Sequence, residues 1–344
     1  MKTVLRFVFA ALFAASIGAC GAAPPAVDVR PDTGAADIAQ ANNALESDDA
    51  VVRFSDILDQ YRALNERLEN VSARLQIANA PLCPVTVRDA GYSVHTLSDY
   101  PERLQQVAEV LLNVDEGLSV RTVRAGSSAA RLGVQPGDRL KRLNGQPLPS
   151  GLTQQRFYET AAAKAFAAPS TRLMIARNNG AEEPELMSFD LAPETLCGYP
   201  AHVVFDEYVN GHTDGRAVWI TSELMRTVKD DVNLALIVAH EMAHAIAGHL
   251  DLNPTDEDRK ILELTADSMA LVMLERAGFD IDQAIAYWMR ADNPQRMSQS
   301  RSLTHPNITQ RLGNFEAAKQ AIYLAKLKGT PLDFSILPPA SLEP

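Results

Sequence analysis

Cysteine is scarce in this chain, with three residues in 344, at positions 20, 83 and 197. That leaves room for one internal disulfide if the first is used otherwise. Basic residues are also short, 32 Lys and Arg against 43 Asp and Glu, for a formal charge of −11. This balance excludes nucleic acid as a partner and broad electrostatic adhesion to anionic lipid. Beyond residue 17 no apolar run is long enough to span a bilayer. The sequence also lacks a phosphate-binding glycine loop, a catalytic Ser/His pairing and any internal repeat. Its apolar content of 46% and its length permit cores in two compact domains.

What the chain does have begins with Lys2 and Arg6 ahead of an apolar run from Phe7 to Ile17, the layout of a secretory signal over residues 1–19. The run ends Ile17-Gly18-Ala19-Cys20, which resembles a bacterial lipobox. Cys20 would then become the lipidated N-terminus of a chain whose formal charge, without Lys2 and Arg6, is about −13. Gly21 in place of an aspartate leans toward the outer membrane. Residues 20–50, rich in Ala, Pro and Asp, read as a flexible tether. Export to an oxidising compartment makes Cys83 and Cys197 an even pair, expected as a disulfide.

The segment His240-Glu241-Met242-Ala243-His244 carries the chemistry. On a helix, residues four apart lie about 40° apart and one turn along the axis, so both imidazoles can converge on one zinc ion. Glu241 then sits beside the metal, placed to take a proton from a bound water whose pKa is lowered to about 7 and to pass it to the leaving amine. Asp230 or Asp231 can cap this helix, and Leu234 to Val238 run apolar into the motif, so the His/Glu/His cluster is buried and needs partners. His249 falls about 180° from His240 on the same wheel and is expected to be structural. Asn253-Pro254 breaks the helix, and Thr255 with Asp256, Glu257 and Asp258 opens a second one running to Ala277-Gly278. Packed antiparallel, this helix offers Glu263 as third ligand and, one turn on, Asp267 to accept a hydrogen bond from a ligand histidine. His95, His202 and His212 are expected as surface or core histidines.

HExxH followed by a Glu-x-x-Ala-Asp helix resembles the gluzincin metallopeptidases of family forty-eight, the HtpX-like heat-shock proteases and CAAX prenyl proteases. The likeness covers residues 200 to 325 and includes Asn210–Thr221 and His305-Pro306 followed by Arg311. It implies one zinc per chain held by His240, His244 and Glu263, with Glu241 as general base and acid and Asp267 behind a ligand. It also implies His305 as oxyanion stabiliser, with Arg311 ordering the site. The chain departs from the family where an Asn-Ala-Phe-Ala type segment is usual, reading Asn210-Gly211-His212-Thr213-Asp214-Gly215. Ala217–Thr221 is expected as an edge strand over the cleft, open to an extended peptide backbone.

Between the cysteines, Gly126 to Leu140 and Leu143-Asn144-Gly145 resemble a bacterial PDZ domain. Leu118–Val123, a helical stretch from Leu152 to Ala167, and two strands around Asn178-Asn179-Gly180 give it a small sheet with a helix beside it. The resemblance implies binding of peptide C-termini by strand addition, although no carboxylate loop stands out near Glu116-Gly117-Leu118-Ser119. An amphipathic helix from Val51 to Ile77 and helices at Asp282–Arg290 and Asn307–Leu327 complete the other domain.

The expected fold is therefore α+β. A mainly helical gluzincin domain (51–98 and 196–330) with a small sheet over its cleft is interrupted by a β-rich PDZ-like domain (99–195), and a tail follows (331–344). The expected activity is that of a lipid-anchored endopeptidase on the periplasmic face of the cell envelope, in the outer membrane. Its substrates would be misfolded or unassembled envelope polypeptides. The rival reading is a peptide-binding or chaperone lipoprotein with a structural metal site.

Overall fold

Helix forms where apolar residues recur every three or four positions and strand where they alternate, and both patterns segregate along the chain. The computed structural model describes residues 48–149, 154–290 and 305–342. The expected signal, nearly all of the tether and Cys20 lie outside the described residues. The chain begins with the long helix α1 (Asp48–Asn79), then β1 (Thr86–Asp89), β2 (Tyr92–His95) and α2 (Glu102–Leu112). A β-rich stretch follows: β3 (Ser119–Val123), α3 (Ser128–Leu132), β4 (Arg139–Leu143), β5 (Gln146–Pro147), α4 (Gln154–Phe166), β6 (Thr171–Arg177) and β7 (Glu185–Leu191). Four short strands come next, β8 (Glu194–Cys197), β9 (Ala201–Val204), β10 (Gly211–Thr213) and β11 (Val218–Thr221). The helices α5 (Ser222–Thr227), α6 (Asp231–Ile246), α7 (Asp256–Arg276), α8 (Ile281–Met289) and α9 (Ile308–Lys328) complete the order.

The largest core joins α1 to α6–α9 and the β9–β11 sheet through Leu68, Leu75, Ile220, Leu234, Leu271 and Phe315, among others. Arginines of α1 fasten it to this helical body. Arg67 donates to the Met225 and Val228 carbonyls and to Asp231 at the head of α6, and Arg74 donates to the Ala277 carbonyl at the end of α7. A second core, with Tyr92, Val120, Leu140, Phe166, Leu173 and Leu191, lies in an antiparallel sheet of order β2-β3-β4-β6-β7, with β5 on β4 and α4 packed against it. A third, smaller one joins Leu58 of α1 to Tyr100, Leu104, Val107 and Val114 around α2.

The two larger units meet at a two-stranded ribbon. β1 pairs antiparallel with β8, setting Thr86 opposite Cys197, and a disulfide joins Cys83 to Cys197 with Cα atoms 5.5 Å apart. The Gly198 N–H donates to the Val85 carbonyl just beyond it. Charged contacts add to the junction: Arg121 of β3 pairs with Glu69 of α1 at 2.7 Å, Thr122 also donates to Glu69, and the Ala125 N–H donates to Asn70.

Two expectations are corrected. The β-rich unit starts at β2 rather than residue 99, since β2 pairs with β3 and Ala90 and Tyr92 are buried in the second core. A four-residue strand is too short for its alternation to reveal which sheet it joins. The Ala217–Thr221 strand is not an edge: β11 lies between β10 and β9, antiparallel to the first and parallel to the second. β9 closes the side that was expected to be open. The tail, for which wrapping and trailing were both open, wraps: Leu332, Phe334, Ile336 and Leu337 pack on the main core and Arg276 donates to the Leu332 carbonyl.

Two expectations for stability follow. The disulfide closes a loop with a sequence separation of 114, for which the chain-entropy relation gives about 5 kcal/mol. Replacing both Cys83 and Cys197 by alanine should lower the urea-unfolding free energy by that order, and an unchanged midpoint would show that the ribbon holds without it. His95 is buried with Nδ1 2.6 Å from the Tyr100 hydroxyl, and burial, then the charge of Arg121, hold its imidazole down at about 4. The unfolded chain takes up this proton near pH 6.5 and the folded one only near 4. Stability from this group is therefore complete above pH 6.5 and declines as pH falls toward 4, by on the order of 3 kcal/mol. Urea melts between pH 7.5 and 4.5 should show this slope, and His95→Gln should flatten it.

Candidate metal centre

Two capped helices build the site. α6 starts where the Asp230 side chain accepts from the Val232 N–H, and α7 starts in a capping box between Thr255 and Asp258. The helices pack together, with Glu263 reaching His244 and His240 while Asp267, one turn further along α7, reaches His240. Ascending one helix descends the other, so they run antiparallel. α9 lays Arg311 across the same place, and His305 enters just ahead of it.

His240, Glu241, His244, Glu263, Asp267, His305 and Arg311 are all buried, none exposing more than 6% of its surface. Polar groups so deep must satisfy one another or bind something. The Nε2 atoms of His240 and His244 face each other at 3.2 Å, and Glu263 comes within 3.4 Å of each with a different carboxylate oxygen. The separation of the two nitrogens matches the edge of a tetrahedron, about 3.3 Å, around an ion with bonds of 2.0–2.1 Å, and one donor atom from each of the three residues lies within 4.8 Å of the others. Each imidazole is backed on its far side. His240 Nδ1 lies 3.0 Å from Asp267, which is gripped by Arg311 through bonds of 2.7 and 2.9 Å, and the Arg311 guanidinium lies 4.0 Å from the centroid of the Trp288 ring. His244 Nδ1 lies 3.0 Å from Nδ1 of His249. The set fits a tetrahedral divalent ion, with two imidazoles and one carboxylate as ligands and a fourth position for water or substrate.

Electrostatics agree with a site built for a cation. Burial alone would push the His240 imidazole down, but the carboxylates of Asp267 and Glu263 outweigh it and hold it up at about 10. For His244 burial prevails and takes the ring down to about 3. Burial would raise the Glu263 carboxyl, yet the surrounding imidazoles keep it well below the usual range. The pocket thus keeps the Glu263 carboxylate ionised in a dry core and draws positive charge toward it.

The structure brings together the seven residues expected at the centre. Glu241 follows His240 on α6, beneath β10, where a Cβ on Gly211 would lie 4.0 Å from Glu241 Cγ. His305 Nε2 is 3.8 Å from Glu263. His95 and His202 stand apart, hydrogen-bonded to Tyr100 and stacked on Trp219 respectively, and His212 sits on β10 opposite Trp219. His249 lies outside the possible ligand triad, but its place differs from the one the helical wheel gives. The helical wheel turns it away from His240, but α6 ends at Ile246 and Gly248, at φ 68°, folds the chain back so that His249 meets His244. Gly248 just before His249 was the available signal, since glycine past a helix end marks such a reversal.

A His/His/Glu triad beside a glutamate on the same helix as both histidines defines the centre of a metallopeptidase. Comparison supports that class: the sequence model of peptidase family M48 matches residues 194–253, from β8 to beyond α6, a span that includes both histidines and Glu241 and stops before Glu263. None of the curated proteins matches the chain significantly. Among solved structures, the crystal structure of the HtrA3 PDZ domain bound to a phage-derived ligand (FGRWV) aligns with 33% of this chain and 93% of its own, at 23% identity and a TM-score of 0.24.

Removing a group that orients a ligand imidazole costs about 10–100-fold in metal affinity. His249→Ala should show a loss of that size in competition against a chromogenic chelator, with the fold intact by circular dichroism. Unchanged affinity would reduce His249 to a packing residue.

Proposed function

We propose that this chain is a zinc-dependent endopeptidase of the family M48, gluzincin type, anchored by lipid in the bacterial cell envelope. The observation that carries the reading is the buried triangle of His240, His244 and Glu263 next to Glu241. Zinc bound there would supply Lewis acidity toward a peptide carbonyl and lower the pKa of water. Glu241 takes a proton from the attacking water as its oxygen bonds to the carbonyl carbon, then gives it to the amine nitrogen as the C–N bond breaks. His305, buried within 3.8 Å of Glu263, stabilises the oxygen that gains charge in the tetrahedral intermediate. Arg311 acts at one remove: through Asp267 it fixes the ring of His240.

Substrate reaches this site as extended chain. Among the described residues β10 pairs with β11 alone, which leaves its other edge for an extended backbone. The β-rich unit, read as a PDZ-like module, assists selection. Misfolded or unassembled envelope proteins offer such unpaired segments, and the Cys83–Cys197 bond suits the oxidising compartment in which they occur. Among the described residues no helix is long and apolar enough to cross a membrane, so lipid on Cys20 would supply the attachment.

An unfolded outer-membrane protein incubated with the zinc-loaded chain should yield fragments detectable by mass spectrometry. Glu241→Gln should cut the rate by about 10²–10⁴-fold while retaining zinc, and His305→Ala by about 10²–10³-fold. Undiminished cleavage by the Glu241→Gln chain would overturn the assignment. Absence of cleavage by the zinc-loaded parent would favour a binding protein with a structural ion.

A further inference from the structure

A second cleft lies far along the sequence from the metal ligands. A cavity of about 520 Å³ runs between the β1–β2 segment and α4, with Tyr92, Val94, Ala162, Ala163 and Phe166 among its walls. β2 is an edge strand: it pairs with β3 and, among the described residues, with no other strand. An apolar trough beside an open strand edge is a place where an extended polypeptide adds as a further strand.

At the head of the trough the chain turns sharply through Asp89, Ala90 and Gly91. Gly91 has φ 90°, and a Cβ there would come within 2.0 Å of Ser127, so the turn is closed to other residues. Backbone amides at such a turn can form a nest for the carboxylate that ends a peptide. Here the place is filled from within, because the Gly91 N–H donates to Oδ1 of Asp89 at 2.7 Å. Arg124 donates to the same oxygen at 3.2 Å, and every partner of that carboxylate is a donor.

Two of the three neighbouring arginines are already paired with carboxylates. Arg124 is shared with Glu194 at 3.0 Å, Arg121 is held by Glu69, and Arg88 donates to the carbonyls of Ala167 and Pro193. Glu159 adds another acidic group to the cavity wall. Burial raises the Asp89 carboxyl above the usual aspartate range, Arg124 pulls it back, and Glu69 adds to the rise. A second carboxylate would have to displace Asp89 from the amide and sit beside it and Glu159, where the one arginine not paired with an acid, Arg88, is engaged at two carbonyls.

We propose that the groove between β2 and α4 binds an internal, extended segment of an unfolded polypeptide, uncharged or basic at the end nearest Asp89, and rejects a free C-terminus. This rests on the reading of the β-rich unit as a peptide-selecting module and departs from the expectation that it takes peptide ends. It requires nothing of the metal centre.

The test is binding without cleavage. The full chain carrying Glu241→Gln is immobilised and offered random dodecapeptides displayed either with a free C-terminus or followed by a folded carrier. Enrichment is expected in the carrier-followed set. Synthetic peptides from it should bind at least as tightly as C-terminal amides as they do as free acids. Asp89→Asn should raise the affinity of the free acids by tenfold or more. Ala163→Trp, at an exposed position of α4, should fill the trough and abolish capture without unfolding the chain. Enrichment confined to free C-termini, acids binding tenfold tighter than amides, capture that survives Ala163→Trp, or no enrichment in either set would each overturn the proposal. None of these readouts depends on peptidase activity, so failure here and failure of the catalytic reading are distinguishable.

Discussion

Two carboxylates placed in the dry interior of a helical body, Glu263 and Asp267, impose the condition on which the rest of the centre depends. Each would cost several kcal/mol if left uncompensated there. α6 answers with two imidazoles and α9 with a guanidinium that binds Asp267 through two bonds and lies over Trp288. α7 carries both acids on one face, one turn apart, so its pairing with α6 is fixed in direction and in register. A shift of one turn would set each acid against the wrong ring. The chemistry and the packing of these three helices are thus a single requirement.

Much of this was legible before any coordinates. The HExxH spacing, the Thr255 cap and the Glu263/Asp267 pair depend on helical geometry, which is regular enough to project from sequence. What was not legible lay where regularity ends. A helical wheel carried past Gly248 assigns His249 the wrong direction, because the helix has stopped and the chain has reversed. Helix α2 shows helical spacing in Leu104, Val107 and Ala108, but nothing local says that this face rests on α1, more than forty residues away in sequence. The order β10-β11-β9 turns on a parallel pairing between strands separated by β10, and local pattern carries no information about which neighbour a short strand chooses.

The β-rich unit is joined to the helical body in three ways that differ in kind. The β1–β8 ribbon with its disulfide is covalent, the contact of α2 with α1 is apolar, and the Glu69–Arg121 pair is ionic. The ribbon also links the two proposed peptide sites along the backbone. β1 leads into the Asp89–Gly91 turn, while β8 leads into β9, whose neighbour β11 supports β10 above Glu241. A change at one groove has a short path of paired strands to the other, through elements that both units share.

The 5.5 Å between the α-carbons of Cys83 and Cys197 is little more than the 3.8 Å between adjacent residues of any chain. The whole stretch between them therefore leaves and re-enters the helical body at almost one point. To that body the stretch is topologically a side loop: a single bridging residue could replace it without moving α1 or β9. Such geometry makes the insert a cassette, one whose removal or exchange would leave the helical body closed at the place the two cysteines now clasp.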